Sequence, residues 1–367
     1  MKHWLAGLLL LLSPAAYAQQ PVPEIPFDSV PDLIKLPPDL YLGEATGVAV
    51  NSKGHIFVYS RGGPNMGHAF RGTASQLLEF DRNGTFLREI GHNLYAWSFA
   101  HVVRIDKDDN IWAVDKGSDM IVKFNPEGRV VMVFGRKPEA SDENAEPHKR
   151  SGPPPKHEDG RFRQPTDVAW DSAGNIYISD GYVNSRVAKL DRDGNWIKSW
   201  GERGTGPGQF NTLHSIAIDA QDRIYIADRS NRRIQVFDPE GTFLREMKID
   251  VPFDQGARPA IGNKLADPFL GGPQAPGAPW ALCITPNQTL YVADAFPGRV
   301  YKMNLDGQVL GVLGKSGKQL KQFGWIHEIA CPSENELYVA EILNWRVQKL
   351  ILHPEQAQHR ASIAPQQ

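Results

Sequence analysis

Short apolar runs rich in β-branched and aromatic residues recur from Thr46 to Leu352, separated by turns of Asp, Asn and Gly. Runs of that length and composition predict strands. Two copies show the unit best: Asp167-Val-Ala-Trp-Asp-Ser-Ala-Gly-Asn-Ile-Tyr-Ile-Ser-Asp and Ile216-Ala-Ile-Asp-Ala-Gln-Asp-Arg-Ile-Tyr-Ile-Ala-Asp. Each is a first strand, a polar turn, and a second strand ending on a small residue and an acid. Third strands follow as Arg186-Val-Ala-Lys-Leu, Arg233-Ile-Gln-Val-Phe, Arg299-Val-Tyr-Lys-Met and Arg346-Val-Gln-Lys-Leu. Hairpin turns such as Asp191-Arg-Asp-Gly and Asn304-Leu-Asp-Gly lead into fourth strands such as Trp196-Ile-Lys-Ser-Trp and Val309-Leu-Gly-Val-Leu. Six copies begin near Thr46, Ala100, Pro165, Leu213, Pro279 and Ile326. Four-stranded units repeated in a ring predict an all-β, six-bladed β-propeller whose first strands line a central channel.

The sixth copy runs out near Leu352 after three clear strands. A missing strand would leave an open sheet edge, so the segment around Leu40 to Leu42 is expected to close the ring. On this reading residues 1–18 are a signal peptide, 19–44 an N-terminal segment, 45–352 the propeller and 353–367 a polar tail. Two insertions interrupt the ring, a charged, Pro-rich one at 136–163 and a Gly- and Pro-rich one at 249–276. They read either as loops on one face, where binding sites collect, or as linkers without a role.

Forty Lys and Arg against 42 Asp and Glu leave a net charge of −2. That balance favours neither a nucleic-acid partner nor an acidic membrane surface. Lys2, His3, the apolar run from Trp4 to Leu12 and the small-x-small site Ala16-Tyr17-Ala18 form a secretory signal. A secreted protein of the bacterial periplasm is expected. No later stretch reaches 18 apolar residues, so no membrane anchor is expected. The two cysteines, Cys283 and Cys331, lie in strand-like runs at repeat positions that differ by one residue. On neighbouring strands their side chains should face opposite ways. Two buried free cysteines are therefore expected, with a disulfide suited to the compartment but badly placed.

The chemistry lies in three histidines. His101, His214 and His327 hold one position of alternate repeats, 113 residues apart in both intervals. An acid follows each by 14 positions: Asp115, Asp228 and Glu341. The intervening repeats carry Thr46, Thr166 and Trp280 at that place. A lone strand histidine is usually a core or turn residue, but alternate blades of a six-fold ring lie a third of a turn apart. Three imidazoles on their innermost strands can converge, a donor set suited to zinc and less specifically to iron or copper. A polar constriction of the channel is the plainer alternative. Arg61, Tyr182 and Arg229 fall just past second strands, at one rim. A cation there would stabilise developing negative charge, and a tyrosine beside metal and arginine would serve as a base.

The blades resemble the NHL-repeat propellers, and more narrowly the peptidyl-α-hydroxyglycine α-amidating lyases, over roughly residues 45–352. The motifs that carry the resemblance are Phe99-Ala-His-Val-Val, Phe210-Asn-Thr-Leu-His-Ser, Phe323-Gly-Trp-Ile-His-Glu, Asp180-Gly-Tyr-Val-Asn-Ser-Arg, Val58-Tyr-Ser-Arg-Gly and Ile226-Ala-Asp-Arg-Ser-Asn. The resemblance implies zinc on His101, His214 and His327, Tyr182 as catalytic tyrosine, and Arg61 and Arg229 as active-site arginines. It also implies a structural calcium ion bound by the backbone carbonyls of Val48 and Val103 and the side chain of Glu328, the last standing where the family has aspartate. Val183 replaces a family cysteine, so the family's disulfides are missing. Trp325 replaces a methionine near the zinc and would narrow the substrate pocket.

The implied reaction cleaves the C–N bond of a small-molecule or peptide α-hydroxy amide to an amide and glyoxylate. Zinc polarises the α-hydroxyl, and Tyr182 or a water on the zinc takes its proton. Arg61 steadies the oxyanion and Arg229 the carboxylate. Two other classes stay open: a secreted propeller that binds a ligand or protein around a structural metal without catalysis, and a metal-dependent hydrolase such as a lactonase. A calcium lactonase should line its channel with carboxylates and asparagines, which argues against the latter. The oligomeric state is not legible.

Overall fold

The computed structural model describes residues 22–61, 75–137, 157–254, 256–257, 275–353 and 355. The signal read at 1–18, the tail beyond Glu355 and the middles of both insertions lie outside the described residues. Among the described residues, six four-stranded antiparallel sheets follow one another along the chain. Their first strands are Glu44–Val50, Ala100–Ile105, Asp167–Trp170, Leu213–Ile218, Ala281–Ile284 and Ile326–Ser333. Each first strand touches those of the blades before and after it, and the sixth touches the first, which closes the ring. The molecule is a six-bladed β-propeller.

Successive strand residues point to opposite faces, so each blade offers one apolar set to the blade before it and one to the blade after. The core is accordingly divided into six clusters, one at each blade-to-blade contact. Phe57, Trp97, Ala113 and Phe124 fill the contact between blades one and two. No helix among the described residues is long and apolar enough to cross a membrane.

The outer strand of blade six comes from Phe27–Ser29, which pairs antiparallel with Leu350–Leu352. The closing strand thus lies upstream of the Leu40–Leu42 segment expected from the sequence. Pro37 and Pro38 stand just before Leu40 and lack the N–H a strand needs. Leu40 and Leu42 instead lie half-buried against the cluster between blades six and one. Upstream, Ile25 joins the cluster between blades five and six, and Phe27 stacks on Phe323 with ring centroids 6.3 Å apart.

Cys283 and Cys331 form a disulfide, with Cα atoms 6.0 Å apart. This overturns the expectation of free cysteines, and the one-residue offset is the reason. The two strands are not neighbours in one sheet; they belong to blades stacked face to face. Cys283 faces forward with Ala281 and Cys331 faces back with Ile329, all into the same cluster. Opposite orientation is what a bridge between stacked blades requires.

Candidate metal centre

The histidines reach the channel through local irregularities in strand pairing. In blade two Ala100 pairs with Asp115 and Val102 with Val114, leaving His101 as the extra residue. In blade six Ile326 pairs with Glu341 and Glu328 with Ala340, leaving His327. In blade four the same slip spans His214 and Ser215. A bulge re-aims the side chain it carries. Here the three rings meet with centroids 4.6 to 4.8 Å apart, all buried. One nitrogen from each lies within 4.8 Å of the others.

The alternate blades supply the supports. His101 Nδ1–H donates to the Thr166 carbonyl at 2.6 Å, His214 to Trp280 at 2.7 Å and His327 to Thr46 at 2.8 Å. A carbonyl only accepts, so Nδ1 carries the proton and the Nε2 lone pair is free to face the channel. His214 Nε2 is buried and has no hydrogen-bond partner among the described residues. Burial first, then nearby cations and imidazoles, holds all three rings well below the usual histidine range and keeps them neutral. Three neutral, preoriented Nε2 atoms, one of them orphaned, fit a metal ion.

The acids fourteen positions on have another task. Asp115 accepts the N–H groups of Ser98, Phe99, Gly117 and Ser118. Asp228 accepts that of Asn211 and Glu341 that of Gly324. Each pins the loop that delivers a histidine.

Around the ring stand the residues read at the rim. Tyr182 Oη lies 3.5 Å from His101 Nε2 and 3.5 Å from Arg229 Nη1. Burial pushes this phenol up, but Arg229, Lys116 and Arg61 together outweigh it and hold it below the ordinary tyrosine range. Arg229 stacks 3.9 Å above the Trp280 ring, and its buried Nε has no hydrogen-bond partner among the described residues. Arg61 is pinned by Glu44 at 2.7 Å and by the Ala100 carbonyl at 2.9 Å, with its guanidinium 3.8 Å over Phe99. Trp325, at φ 66°, meets Trp280 edge-on with centroids 4.8 Å apart, forming an aromatic wall.

Lys116 escaped sequence reasoning. Its Nζ lies 3.9 Å from the Tyr182 ring centroid, and among the described residues it pairs with no carboxylate. The signal was present: Lys116 follows Asp115 as Arg229 follows Asp228 in the repeat two blades on. Trp280 was read only as a repeat equivalent, yet it supports His214 and backs Arg229.

At the residues read for calcium, the carboxylate of Glu328 is already engaged by the chain's own groups. Glu328 Oε2 accepts the N–H groups of Val48 at 3.0 Å and Val103 at 3.2 Å, so both valines turn donors toward the carboxylate. Among the described residues Oε1 makes no hydrogen bond, but it lies 3.1 Å from Arg104 Nε, an ion pair off the N–H axis, because that N–H is directed at Asp167. A cation already stands beside this carboxylate, and it belongs to the chain.

Comparison with known proteins agrees with the fold and narrows the relatives. A family described as 6-bladed beta-propeller matches residues 157–261. The chain is 29% identical over 351 residues to peptidylglycine alpha-amidating monooxygenase of Rattus norvegicus, covering 88% of this chain and 32% of that protein. It is 26% identical over 338 residues to peptidyl-alpha-hydroxyglycine alpha-amidating lyase 1 of Drosophila melanogaster, covering 84% and 57%. It is 29% identical over 215 residues to NHL repeat-containing protein 3 of Homo sapiens, covering 55% and 54%. This is a β-propeller related to the NHL-repeat and amidating-lyase proteins. The relation is at low to moderate identity, and the chain spans about a third of the amidating monooxygenases it matches.

Proposed function

We propose that this propeller is a zinc-dependent lyase that cleaves the C–N bond of a peptidyl-α-hydroxyglycine, or a related α-hydroxy amide, to an amide and glyoxylate. One observation carries the reading: three neutral imidazoles, the Tyr182 phenol and the guanidinium of Arg229 meet within contact distance in a buried site. Similarity to a protein named an amidating lyase supports the same class. Held by His101, His214 and His327, zinc would supply Lewis acidity toward the substrate's α-hydroxyl. Tyr182 accepts the hydroxyl proton, its phenolate favoured by the neighbouring cations. The O–H electron pair becomes the second bond of the glyoxylate C=O. The C–N pair leaves with the amide nitrogen, to which Tyr182 returns the proton. Atoms and charge balance without water, oxidant or reductant.

The charges name the substrate class. Arg61 has Glu44 as counter-ion, but Arg229 and Lys116 pair with no carboxylate among the described residues. In this reading they hold the substrate carboxylate, while Arg61 steadies the developing oxyanion. Trp325 and Trp280 bound the acyl side. The test is glyoxylate release from an N-acyl-α-hydroxyglycine by purified, zinc-loaded protein. Tyr182→Phe should keep its zinc and lose about 10²–10⁴-fold in turnover, the usual worth of a proton-transfer group. No release by wild type, with small and bulky acyl groups alike, would return the protein to the class of binding propellers. Unchanged release by the variant would remove Tyr182 from the proton transfer.

A further inference from the structure

Beneath the histidines lies a second ring of polar contacts that joins all six blades. Its centre is Arg104, three residues after His101 on the same strand. Its guanidinium binds Asp167 of blade three with both arms, Nε to Oδ1 at 2.9 Å and Nη2 to Oδ2 at 2.6 Å. It reaches Ser215 Oγ of blade four at 3.3 Å and lies 3.5 Å from the carbonyls of Leu282 in blade five and Ile329 in blade six. Glu328 of blade six joins it to Val48 of blade one and Val103 of blade two. Ser215 Oγ donates to Asp167 Oδ2 at 2.8 Å and accepts the Leu282 N–H at 3.1 Å. Asp167 Oδ2 also accepts the Ile216 N–H at 3.1 Å.

The members of this layer are sequence neighbours of the metal centre. Ser215 follows His214 and Glu328 follows His327. Asp167 follows Thr166, whose carbonyl holds His101; Val48 lies two residues past Thr46 and Leu282 two past Trp280, the other two carbonyl supports. Shifting any strand at this layer shifts a ligand or its support at the layer above. We propose that Arg104 is the built-in cation of the channel, standing where a divalent ion would otherwise tie the strands, and that it is the positioning residue for the three histidines. Two carboxylates and two backbone carbonyls facing one point are a hard-cation donor set. A guanidinium meets the same oxygens with directed bonds, and a planar fork suits a bidentate carboxylate.

The inference rests on the capacity of the three histidines to hold a metal, and a chain that binds zinc but releases no glyoxylate would leave it standing. Its measure is zinc affinity, read by competition with a chromophoric chelator, beside the melting temperature with and without millimolar calcium. Wild type should hold zinc, contain no stoichiometric calcium and show no calcium shift. Arg104→Met should weaken zinc about 10–100-fold, the usual cost of losing a support behind metal ligands. Arg104→Ala, which opens the space between the carboxylates, should gain a calcium-dependent rise in melting temperature. If Arg104→Met does not fold, the Arg104→Met/Asp167→Asn pair, which removes one of the two carboxylates left without their cation, should fold and still bind zinc weakly. Stoichiometric calcium with a calcium-dependent melt in wild type would overturn the proposal. So would wild-type zinc affinity in Arg104→Met or in the double variant.

Discussion

At the scale of single residues, the centre is governed by which charges are neutralised. The histidines are neutral because burial and nearby cations outlaw the imidazolium, and their Nδ1–H groups donate to carbonyls. His214→Ala should therefore lose metal and turnover together, since a three-ligand site loses a third of its donors. Elemental analysis beside the glyoxylate assay reads this, and full activity in metal-free protein would contradict it. Lys116 makes a different prediction. If it binds the substrate carboxylate, Lys116→Met should keep zinc and raise KM about tenfold, which is 1.4 kcal/mol. A neutral ester substrate should feel little of that change. An equal rise in KM for acid and ester would remove Lys116 from carboxylate binding, whereas a fall in kcat shared by both reads its part in holding the Tyr182 phenol low. Arg61, Tyr182 and Arg229 were legible as residues at rim positions. Their distances were not, because each is set by loops from different blades.

At the scale of elements, strand parity decides more than propensity does. Counting residues from the second-strand acid places Cys283 and Cys331 one apart, and the meaning of that offset depends on whether the strands share a sheet. They do not, so the offset joins them. The bond closes a separation of 48 residues. Cys331→Ala should lower stability by about 2–4 kcal/mol, measured by denaturant unfolding. Thiol labelling of unreduced, unfolded wild type should find no free cysteine. The pairing slips at the histidines work in the same way: one extra residue per strand turns a ring into the channel. Bulges are invisible to periodicity, which is why the 113-residue spacing signalled convergence without showing how the rings are aimed.

At the scale of the whole molecule, closure holds the centre together. Blade six is completed by Phe27–Ser29, and Ile25 and Phe27 pack beside it. A variant beginning at Leu36 would expose the Leu350–Leu352 edge and delete both apolar side chains, each worth about 1.5–3 kcal/mol when fully buried. Its melting temperature should fall by roughly 5–10 °C, with association through the open edge visible by size-exclusion chromatography. A monomer melting like wild type would show that closure lies elsewhere. The repeats, read alone, determined the six blades, the alternation of histidine with threonine and tryptophan, and the rim places of Arg61, Tyr182 and Arg229, because periodic side-chain chemistry is written locally. Only the tertiary structure decided the source of the closing strand, the disulfide, the place of Lys116 and the guanidinium beneath the histidines. Each of these depends on residues far apart in the chain meeting across blade faces or the channel, and no local pattern of apolar and polar positions encodes such a meeting.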